Sequence, residues 1–312
     1  MDSDKLASLF SDTVATLSDC SEMKEKGFFH EYRESDPLPS AKTLEEIVDL
    51  CRSIFFPGFY GRSSINKHTL KYTIGVSVER LHNLLIKQIA AGLCFTTKTK
   101  QGESNEPFYK KAEEIATKLL QELPNIRKTL ETDVIAAFNG DPAADNVSEI
   151  ISCYPVIKTL INYRVAHELF KLEVPLIPRM LTEMAHSETG IDIHPGAQIG
   201  NYFTIDHGTG VVIGATCIIG NHVKLYQGVT LGAKSFPLDE EGNPVKGIPR
   251  HPILEDNVIV YSNASVLGRI TIGKGTIIGG NVWVTENTEP GSIIVQAQKE
   301  SKNNSINLSE SY

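Results

Sequence analysis

Hydrophobic residues recur every six positions between Ile193 and Val284. The aliphatic positions form three in-phase runs: Ile193, Ile199 and Ile205; Ile213, Ile219, Leu225 and Leu231; and Leu254, Val260, Val266, Ile272, Ile278 and Val284. Four residues further on, a second tier is mostly small or apolar: Ala197, Phe203, Cys217, Val223, Val229, Val258, Ala264, Ile270 and Val282. Neither an α-helix nor an ordinary strand has this period, but a parallel β-helix does. We therefore predict a β-helix whose aliphatic side chains stack inside it.

The repeat is interrupted twice. Its phase slips by two residues across Asp206–Gly210, and a polar excursion beginning at Lys234 separates Leu231 from Leu254. Elsewhere in the repeat glycine often follows the aliphatic residue, which is typical of a chain that turns at corners. Regular solenoids accept insertions on one face, commonly the binding face. We therefore expect functional residues at the two breaks.

The first part of the chain has helical periodicity instead. We predict that a capping box of Thr43 and Glu46 begins one helix, that Pro124 breaks another and that Asp141 is an N-cap. One long helix is expected from Val147 to Leu172. The predicted fold class is α+β. An all-helical domain (1–187) precedes a β-helix domain (188–295) with an excursion loop. A polar tail (296–312) is expected to be disordered.

Composition excludes some classes of binding partner and indicates a cellular compartment. With 312 residues and a net charge of −8, the chain is not expected to bind nucleic acid or anionic membranes generally. Its five cysteines include no Cys-x-x-Cys pair, which favours reduced thiols and a cytoplasmic location. The sequence lacks an apolar run of membrane-spanning length and the basic and apolar regions of a secretory signal.

Residues suited to acid–base chemistry lie at the first break. His207 follows Asp206 where the phase slips, and Asp192 lies fifteen positions earlier, close to one coil below. Histidine is suited to proton transfer near neutral pH, and a carboxylate hydrogen-bonded to its ring raises its basicity. A structural histidine in a turn is the alternative, but the break in a strict repeat favours a catalytic role.

The second break ends with Arg250 and His251. Arginine binds carboxylates and phosphates in a bidentate manner, although a surface arginine on a loop is the ordinary alternative. Histidines one coil apart also suit zinc, as in a β-helical carbonic anhydrase. Here His207 and His251 have an acidic or arginine neighbour instead, so we predict no metal site. His194 and His222 are interpreted as corner or surface residues.

Several stretches resemble serine O-acetyltransferases, within the hexapeptide-repeat acyltransferases. They are Asp141-Pro142-Ala143-Ala144-Asp145, Tyr163-Arg164-Val165-Ala166-His167, Ile191-Asp192-Ile193-His194-Pro195, Ile205-Asp206-His207-Gly208-Thr209-Gly210, Gln227-Gly228-Val229-Thr230-Leu231-Gly232 and Arg250-His251-Pro252. The resemblance covers about Asp141 to Gly291. It implies a left-handed β-helix assembled as homotrimers, which in some members pair into hexamers.

The resemblance also implies an activity, the transfer of acetyl from acetyl-CoA to the hydroxyl of L-serine for cysteine biosynthesis. His207 would be the general base and Asp192 would orient it. Arg250, with His251 beside it, would hold the carboxylate of the amino acid, and Asp141 and Asp206 would hold its ammonium group. Acetyl-CoA is a co-substrate, and no bound cofactor is expected. The positions implied for CoA, or assigned to it from charge alone, are Gly232, Ala233, Ser262, Arg269 and Lys274.

The chain also departs from the family pattern. Ala215 stands where many members have glutamate, and the excursion is longer than in the shorter members. The sequence ends in Tyr312 rather than isoleucine, which does not favour a complex with cysteine synthase. Cysteine inhibits many members by occupying the serine pocket, so inhibition is expected if the pocket is kept. The alternatives are a sugar or antibiotic O-acetyltransferase, and a β-helical scaffold or metal-dependent lyase.

Overall fold

A computed structural model of the chain describes residues 3–31, 33, 36–61, 65–97 and 103–296. Its helices are α1 (Ser3–Ser18), α2 (Ser21–Glu25), α3 (Ala41–Phe55), α4 (Leu70–Thr96), α5 (Glu106–Gly140), α6 (Val147–Cys153), α7 (Pro155–Lys171) and α8 (Ile177–Thr189). Its strands are β1 (Asp192–Ile193), β2 (Gln198–Ile199), β3 (Thr204–Asp206), β4 (Val212–Ile213), β5 (Ile218–Ile219), β6 (Lys224–Tyr226), β7 (Thr230–Gly232), β8 (Ile253–Leu254), β9 (Ile259–Val260), β10 (Ser265–Leu267), β11 (Thr271–Ile272), β12 (Ile277–Ile278), β13 (Trp283–Val284) and β14 (Ile293–Ile294). Across these ranges no helix combines the length and apolarity needed to cross a membrane.

The strands follow one another around a three-sided prism. The first sheet has the order β1-β4-β7-β10-β13, the second β2-β5-β8-β11 and the third β3-β6-β9-β12-β14. Their pairings are parallel. We call the corners edge 1–2, edge 2–3 and edge 3–1 after the sheets that they join. The excursion leaves β7 and returns to β8, so it projects from edge 1–2.

The six-residue pattern identifies the prism interior. Ile193, Ile213 and Leu231 are aligned on successive strands of the first sheet, and each is at most 1% exposed. The third sheet aligns Ile205 with Leu225 in the same way. Side chains at one register position therefore stack coil on coil, which buries a continuous apolar column. The predicted α+β architecture, with helices followed by a β-helix, is confirmed.

Two predicted helix boundaries are wrong. Ser40 rather than Thr43 caps α3, because the Ser40 hydroxyl accepts the Thr43 N–H at 3.2 Å. Pro124 does not break α5, which runs through it. Leu123 and Ile126 on either side of the proline are both buried. Burial of one apolar face on both sides thus outweighs the hydrogen bond that proline removes.

The predicted long helix from residue 147 to 172 is also wrong, since it divides at Tyr154. Tyr154 is extended (φ −77°, ψ 124°) because it precedes Pro155, which disfavours helical backbone there. Asp141 is not an N-cap: it ends α5, and Asn146 caps α6 by accepting the Glu149 N–H at 3.0 Å.

The helices dock on the first coil through a group that we call the junction cluster: Asp133, Tyr163, Arg164 and His167. Arg164 Nε and Nη2 donate to the two Asp133 carboxylate oxygens at 2.8 and 2.9 Å. Its Nη1 and Nη2 also donate to the backbone carbonyls of residues 199 and 200 at 3.0 and 2.8 Å. Tyr163 and His167 bond the carbonyls of residues 197 and 195 at 2.6 and 2.8 Å. The cluster satisfies carbonyl groups that would otherwise be left at the start of the solenoid.

The predicted domain division at residue 187 stays a prediction. The change from helix to strand falls between Thr189, at the end of α8, and Asp192, at the start of β1. Of the predicted tail, only Gln296 lies within the described residues, so the expectation of disorder concerns residues outside them.

Candidate active site

His207 stands on edge 3–1, directly after β3. His207 and Gly208 both have left-handed backbones (φ +57° and +98°), and a Cβ on Gly208 would lie 2.5 Å from Cδ1 of Ile191. Glycine is therefore required beside His207. The two-residue slip turns the imidazole outward, and the His207 side chain is 75% exposed. This position is accessible to a substrate.

Polar residues around His207 form what we call the His207 group: Asp141, Tyr154, Asp206, His207 and Lys224. Asp206 Oδ1 lies 3.8 Å from His207 Nε2, and Asp206 Oδ2 lies 3.0 Å from Lys224 Nζ. Lys224 Nζ also donates to the carbonyl of residue 140 at 2.7 Å. Lys224 thus ties the end of α5 to β3. Sequence reasoning missed this residue, because a single outward lysine on a strand belongs to no pattern.

Asp141 is fixed from two directions. Its Oδ2 accepts the Tyr154 hydroxyl at 2.5 Å, and its Oδ1 accepts the Ala143 N–H at 2.8 Å. The Tyr154 bond, followed by the Ala143 bond, lowers the pKa of Asp141, while the same bond raises the pKa of Tyr154 to about 12. Two carboxylates and the Lys224 ammonium leave one net negative charge, which suits one ammonium group.

Asp192 does not hydrogen-bond the His207 ring within the described part of the chain. Its partner is Arg179 of α8, with Nη1 3.3 Å from Oδ1. Asp192 is one coil below the first break, as expected, but it is aligned with Val212 on the first sheet, five residues beyond His207. The expected contact is therefore displaced along the sheet, and Asp206 is the carboxylate nearer the ring.

Edge 1–2 carries a second group, which we call the Arg250 group: Thr216, Arg250, His251 and Arg269. The Thr216 hydroxyl accepts the backbone N–H of Arg250 and of His251 at 3.0 and 3.1 Å. Arg269 Nη1 donates to the carbonyl oxygens of Thr216 and His251 at 2.6 and 3.0 Å. These bonds pin the end of the excursion to the prism.

The Arg250 guanidinium has no carboxylate partner among the described residues. Its Nε is buried and has no hydrogen-bond partner among the residues that the structure describes. Its guanidinium carbon lies 5.6 Å from the centre of the Phe236 ring. A buried donor without an acceptor is costly, so this arrangement favours an anion such as a carboxylate.

His251 is buried beside this guanidinium, at 7% exposure. Its ring occupies the space over Gly214, where a Cβ would lie 2.0 Å from the ring Cδ2. Gly214 therefore makes room for an imidazole as well as for a corner. Burial, with the charges of Arg250, His194 and Arg269, lowers the pKa of His251 to about 4. The ring is consequently neutral near pH 7.

The positions assigned to CoA fall on all three edges. Gly232, Ala233 and Arg269 lie on edge 1–2 with the Arg250 group, and Ser262 lies on edge 3–1 above His207. Lys274 lies on edge 2–3, apart from both groups. One Arg269 nitrogen is already engaged by two carbonyl groups.

One set of potential metal donors occurs in the described ranges. It comprises Glu183, His186 and Asp192, whose donor atoms lie within 4.8 Å of one another. Arg179 forms ion pairs with both carboxylates of this set. The guanidinium already supplies the positive charge there, so the arrangement does not call for a metal ion.

Comparison with known proteins agrees with this architecture. The family model described as bacterial transferase hexapeptide (six repeats) matches residues 251–286. The plasmid serine acetyltransferase of Synechococcus elongatus is 49% identical over 269 residues, which cover 86% of this chain and 84% of the relative. The chain belongs to the serine acetyltransferase family.

The similarity to solved structures includes the helical part of this chain. Serine acetyltransferase isoform 3 of Entamoeba histolytica, in complex with cysteine, is 36% identical with a TM-score of 0.69 and covers 82% of this chain and 83% of its own. Serine acetyltransferase 1 of the same organism, in complex with L-cysteine, is 35% identical with a TM-score of 0.70 and covers 86% and 91%. Because the strands span only Asp192–Ile294, this coverage includes helices.

Proposed function

We propose that the chain transfers the acetyl group of acetyl-CoA to the hydroxyl of L-serine. One observation carries the choice of an amino-acid acceptor: the chain has two groups of opposite charge. The His207 group carries one net negative charge beside an exposed imidazole, and the Arg250 group includes a guanidinium whose buried Nε has no acceptor among the described residues. A zwitterion needs both, whereas a sugar hydroxyl needs neither.

We further propose that the two groups meet between neighbouring copies of the chain. The His207 group lies on edge 3–1 and the Arg250 group lies on edge 1–2 of the same prism. A head-to-tail arrangement that brings one edge of each copy against the other edge of the next closes into a ring. A homotrimer with its axis along the prisms would build three sites, each with both charges.

In the proposed reaction, His207 removes the proton of the serine hydroxyl as the oxygen attacks the thioester carbonyl. The C–O bond forms, the tetrahedral oxyanion collapses, and the C–S bond breaks. The proton on His207 passes to the leaving thiolate, which gives CoA and O-acetylserine. A positioned base contributes roughly 10²- to 10⁴-fold. The orienting carboxylate is Asp192 if the exposed His207 ring turns toward the first sheet, and Asp206 in the conformation described.

Acetyl-CoA is proposed to bind along edges 1–2 and 3–1 of neighbouring copies. Backbone N–H groups at Gly232 and Ala233 are candidates for stabilising the oxyanion and for contacting the pantetheine arm. Ser262 would line the same groove. Because Lys274 lies on edge 2–3, its contribution to phosphate binding is the weakest of the assigned roles.

L-Cysteine is proposed to inhibit by competing with serine. It has the same ammonium and carboxylate groups, and a thiol replaces the reacting hydroxyl. The His207 group and the Arg250 group would therefore bind L-cysteine as they bind L-serine. The cysteine complexes of the two Entamoeba relatives support this proposal.

The test is CoA release by the purified chain with L-serine, homoserine, threonine or a galactoside as acceptor. L-Serine should give the highest kcat/KM, and His207→Ala should lower kcat by roughly 10²- to 10⁴-fold. His222→Ala, at an exposed histidine on edge 2–3, is the matched control and should leave turnover unchanged. Preference for a galactoside would reject the acceptor, and normal turnover of His207→Ala would reject the base.

A further inference from the structure

Thr216 contacts both residues at the end of the excursion although it lies more than thirty positions away in sequence. Its hydroxyl oxygen lies 2.8 Å from His251 Nδ1 and accepts the backbone N–H groups of Arg250 and His251. Its own backbone N–H donates to the same Nδ1 at 3.1 Å. One residue therefore supplies four of the hydrogen bonds that fix this segment.

These bonds determine the state of the imidazole. A backbone N–H can only donate, so His251 Nδ1 must be the acceptor and cannot carry a proton. The Thr216 hydroxyl hydrogen then also points to Nδ1, because both of its oxygen lone pairs are used by the two backbone N–H groups. The ring proton is left on Nε2, which forms no hydrogen bond with any described residue.

We propose that Thr216 is a positioning residue of the acceptor site. Its hydroxyl and amide hold the His251 imidazole as the neutral Nε2–H tautomer and fix the backbone of Arg250. The Nε2–H of His251 and the guanidinium of Arg250 then present donors to one carboxylate. The identity of that carboxylate rests on the proposed function, but the tautomer and the bonds to Thr216 do not.

The position of Thr216 strengthens the inference. It lies two residues after Gly214, which leaves space for the His251 ring, and its carbonyl accepts a hydrogen bond from Arg269. Gly214 thus makes room for the imidazole, Thr216 bonds its Nδ1, and Arg269 bonds the backbone carbonyl of His251. A purely structural threonine would need only one of these contacts to hold the corner. The contacts of Thr216 leave His251 with a neutral ring and one free donor, which indicates a binding role.

The experiment compares the full chain with Thr216→Val, which keeps the shape but loses the hydroxyl, and with Thr216→Ser, which keeps the hydroxyl. Long-range ¹H–¹⁵N correlation on histidine-labelled protein reports the tautomer of each ring, and the missing signals of His251→Gln assign His251. We expect the Nε2–H form in the wild-type protein and in Thr216→Ser, and a mixture in Thr216→Val.

Kinetics provides the second measurement. Thr216→Val should raise KM for L-serine about tenfold, equivalent to about 1.4 kcal/mol, with KM for acetyl-CoA unchanged and the smaller effect on kcat. Thr216→Ser should retain the wild-type KM. An Nδ1–H tautomer in the wild-type protein would overturn the proposal even if Thr216→Val did not fold. An unchanged KM in Thr216→Val, or an equal loss in Thr216→Ser, would overturn it as well. Absence of serine acetylation by the wild-type chain would reject the proposed function and leave the tautomer test intact.

Discussion

Two arginine–histidine pairs in this chain have opposite surroundings. In the junction cluster, Arg164 donates to both oxygens of Asp133 and to two backbone carbonyls, while His167 bonds a third carbonyl. In the Arg250 group, the guanidinium Nε has no acceptor among the described residues, and the His251 ring keeps one nitrogen free. The first pair is saturated by the protein and the second is left open.

The role of an arginine–histidine pair therefore does not follow from its residue types alone. Both pairs occur in stretches that resemble the same family; Arg164 is buried and Arg250 is half-buried. The two arginines differ in whether the protein supplies an anionic acceptor. Asp133 is fully buried and neutralises Arg164, whereas Arg250 is accompanied by a neutral imidazole and a phenyl ring. An arginine without a protein anion is prepared for a substrate anion.

The largest effect is expected from breaking the saturated pair. Arg164→Met should leave the buried Asp133 carboxylate uncompensated and lower the free energy of unfolding by about 3–5 kcal/mol. Urea unfolding measures this, and KM for serine of the protein that remains folded should be unchanged. Arg127→Met is the control, because its ion pair with Glu131 is exposed and should contribute only about 0–1 kcal/mol. Equal losses in the two variants would show that the junction cluster is not an anchor.

A smaller effect of another kind is expected from the open pair. Arg250→Met removes the donor proposed for the carboxylate and should raise KM for L-serine about 10- to 100-fold, since hydrogen bonds to charged groups contribute about 1.5–3 kcal/mol. Stability should stay near that of the wild-type protein. Lys246→Met removes the same charge from an exposed position in the excursion and should leave KM unchanged. If Arg250→Met destabilises the fold and spares KM, Arg250 is a structural residue like Arg164 and does not bind the substrate carboxylate.

The sequence predicts the prism interior well, because each side of a coil has a fixed length and so the aliphatic positions repeat. It also indicates His207, Arg250 and His251 as candidate site residues, because they lie at breaks in a strict period, and their roles stay predictions. Helix ends are predicted less well, since Ser40 and Thr43 are both capable caps and the choice depends on tertiary packing.

Lys224 and Thr216 could not be found from the sequence. Each is one polar residue on an otherwise regular coil, and its partners are brought together only by folding. The expected contact between Asp192 and the His207 ring is not formed, for a related reason. Counting residues placed it one coil below the break, but the strand register aligns it with Val212, and α8 supplies Arg179. A repeat fixes which residues stack and leaves open which helices pack against them.

The smallest expected effect concerns the two histidines. Burial lowers the pKa of His167, and burial with neighbouring positive charge lowers that of His251 to about 4. An unfolded histidine titrates near 6.5, so between these values the unfolded chain binds more protons and stability falls as the pH falls. Lowering the pH from 6.5 to 5.5 should cost about 1 kcal/mol at His251.

Urea unfolding of His251→Gln over this pH interval measures the contribution of that ring. The variant should lose about 1 kcal/mol of the pH dependence and retain the part due to His167 and His194, whose pKa values burial also lowers. His222→Gln, at an exposed ring, should retain the full dependence. A pH dependence as steep in His251→Gln as in the wild-type protein would mean that the ring is protonated in the folded chain. The open pair would then carry two positive charges, and the neutral donor assigned to His251 would be wrong.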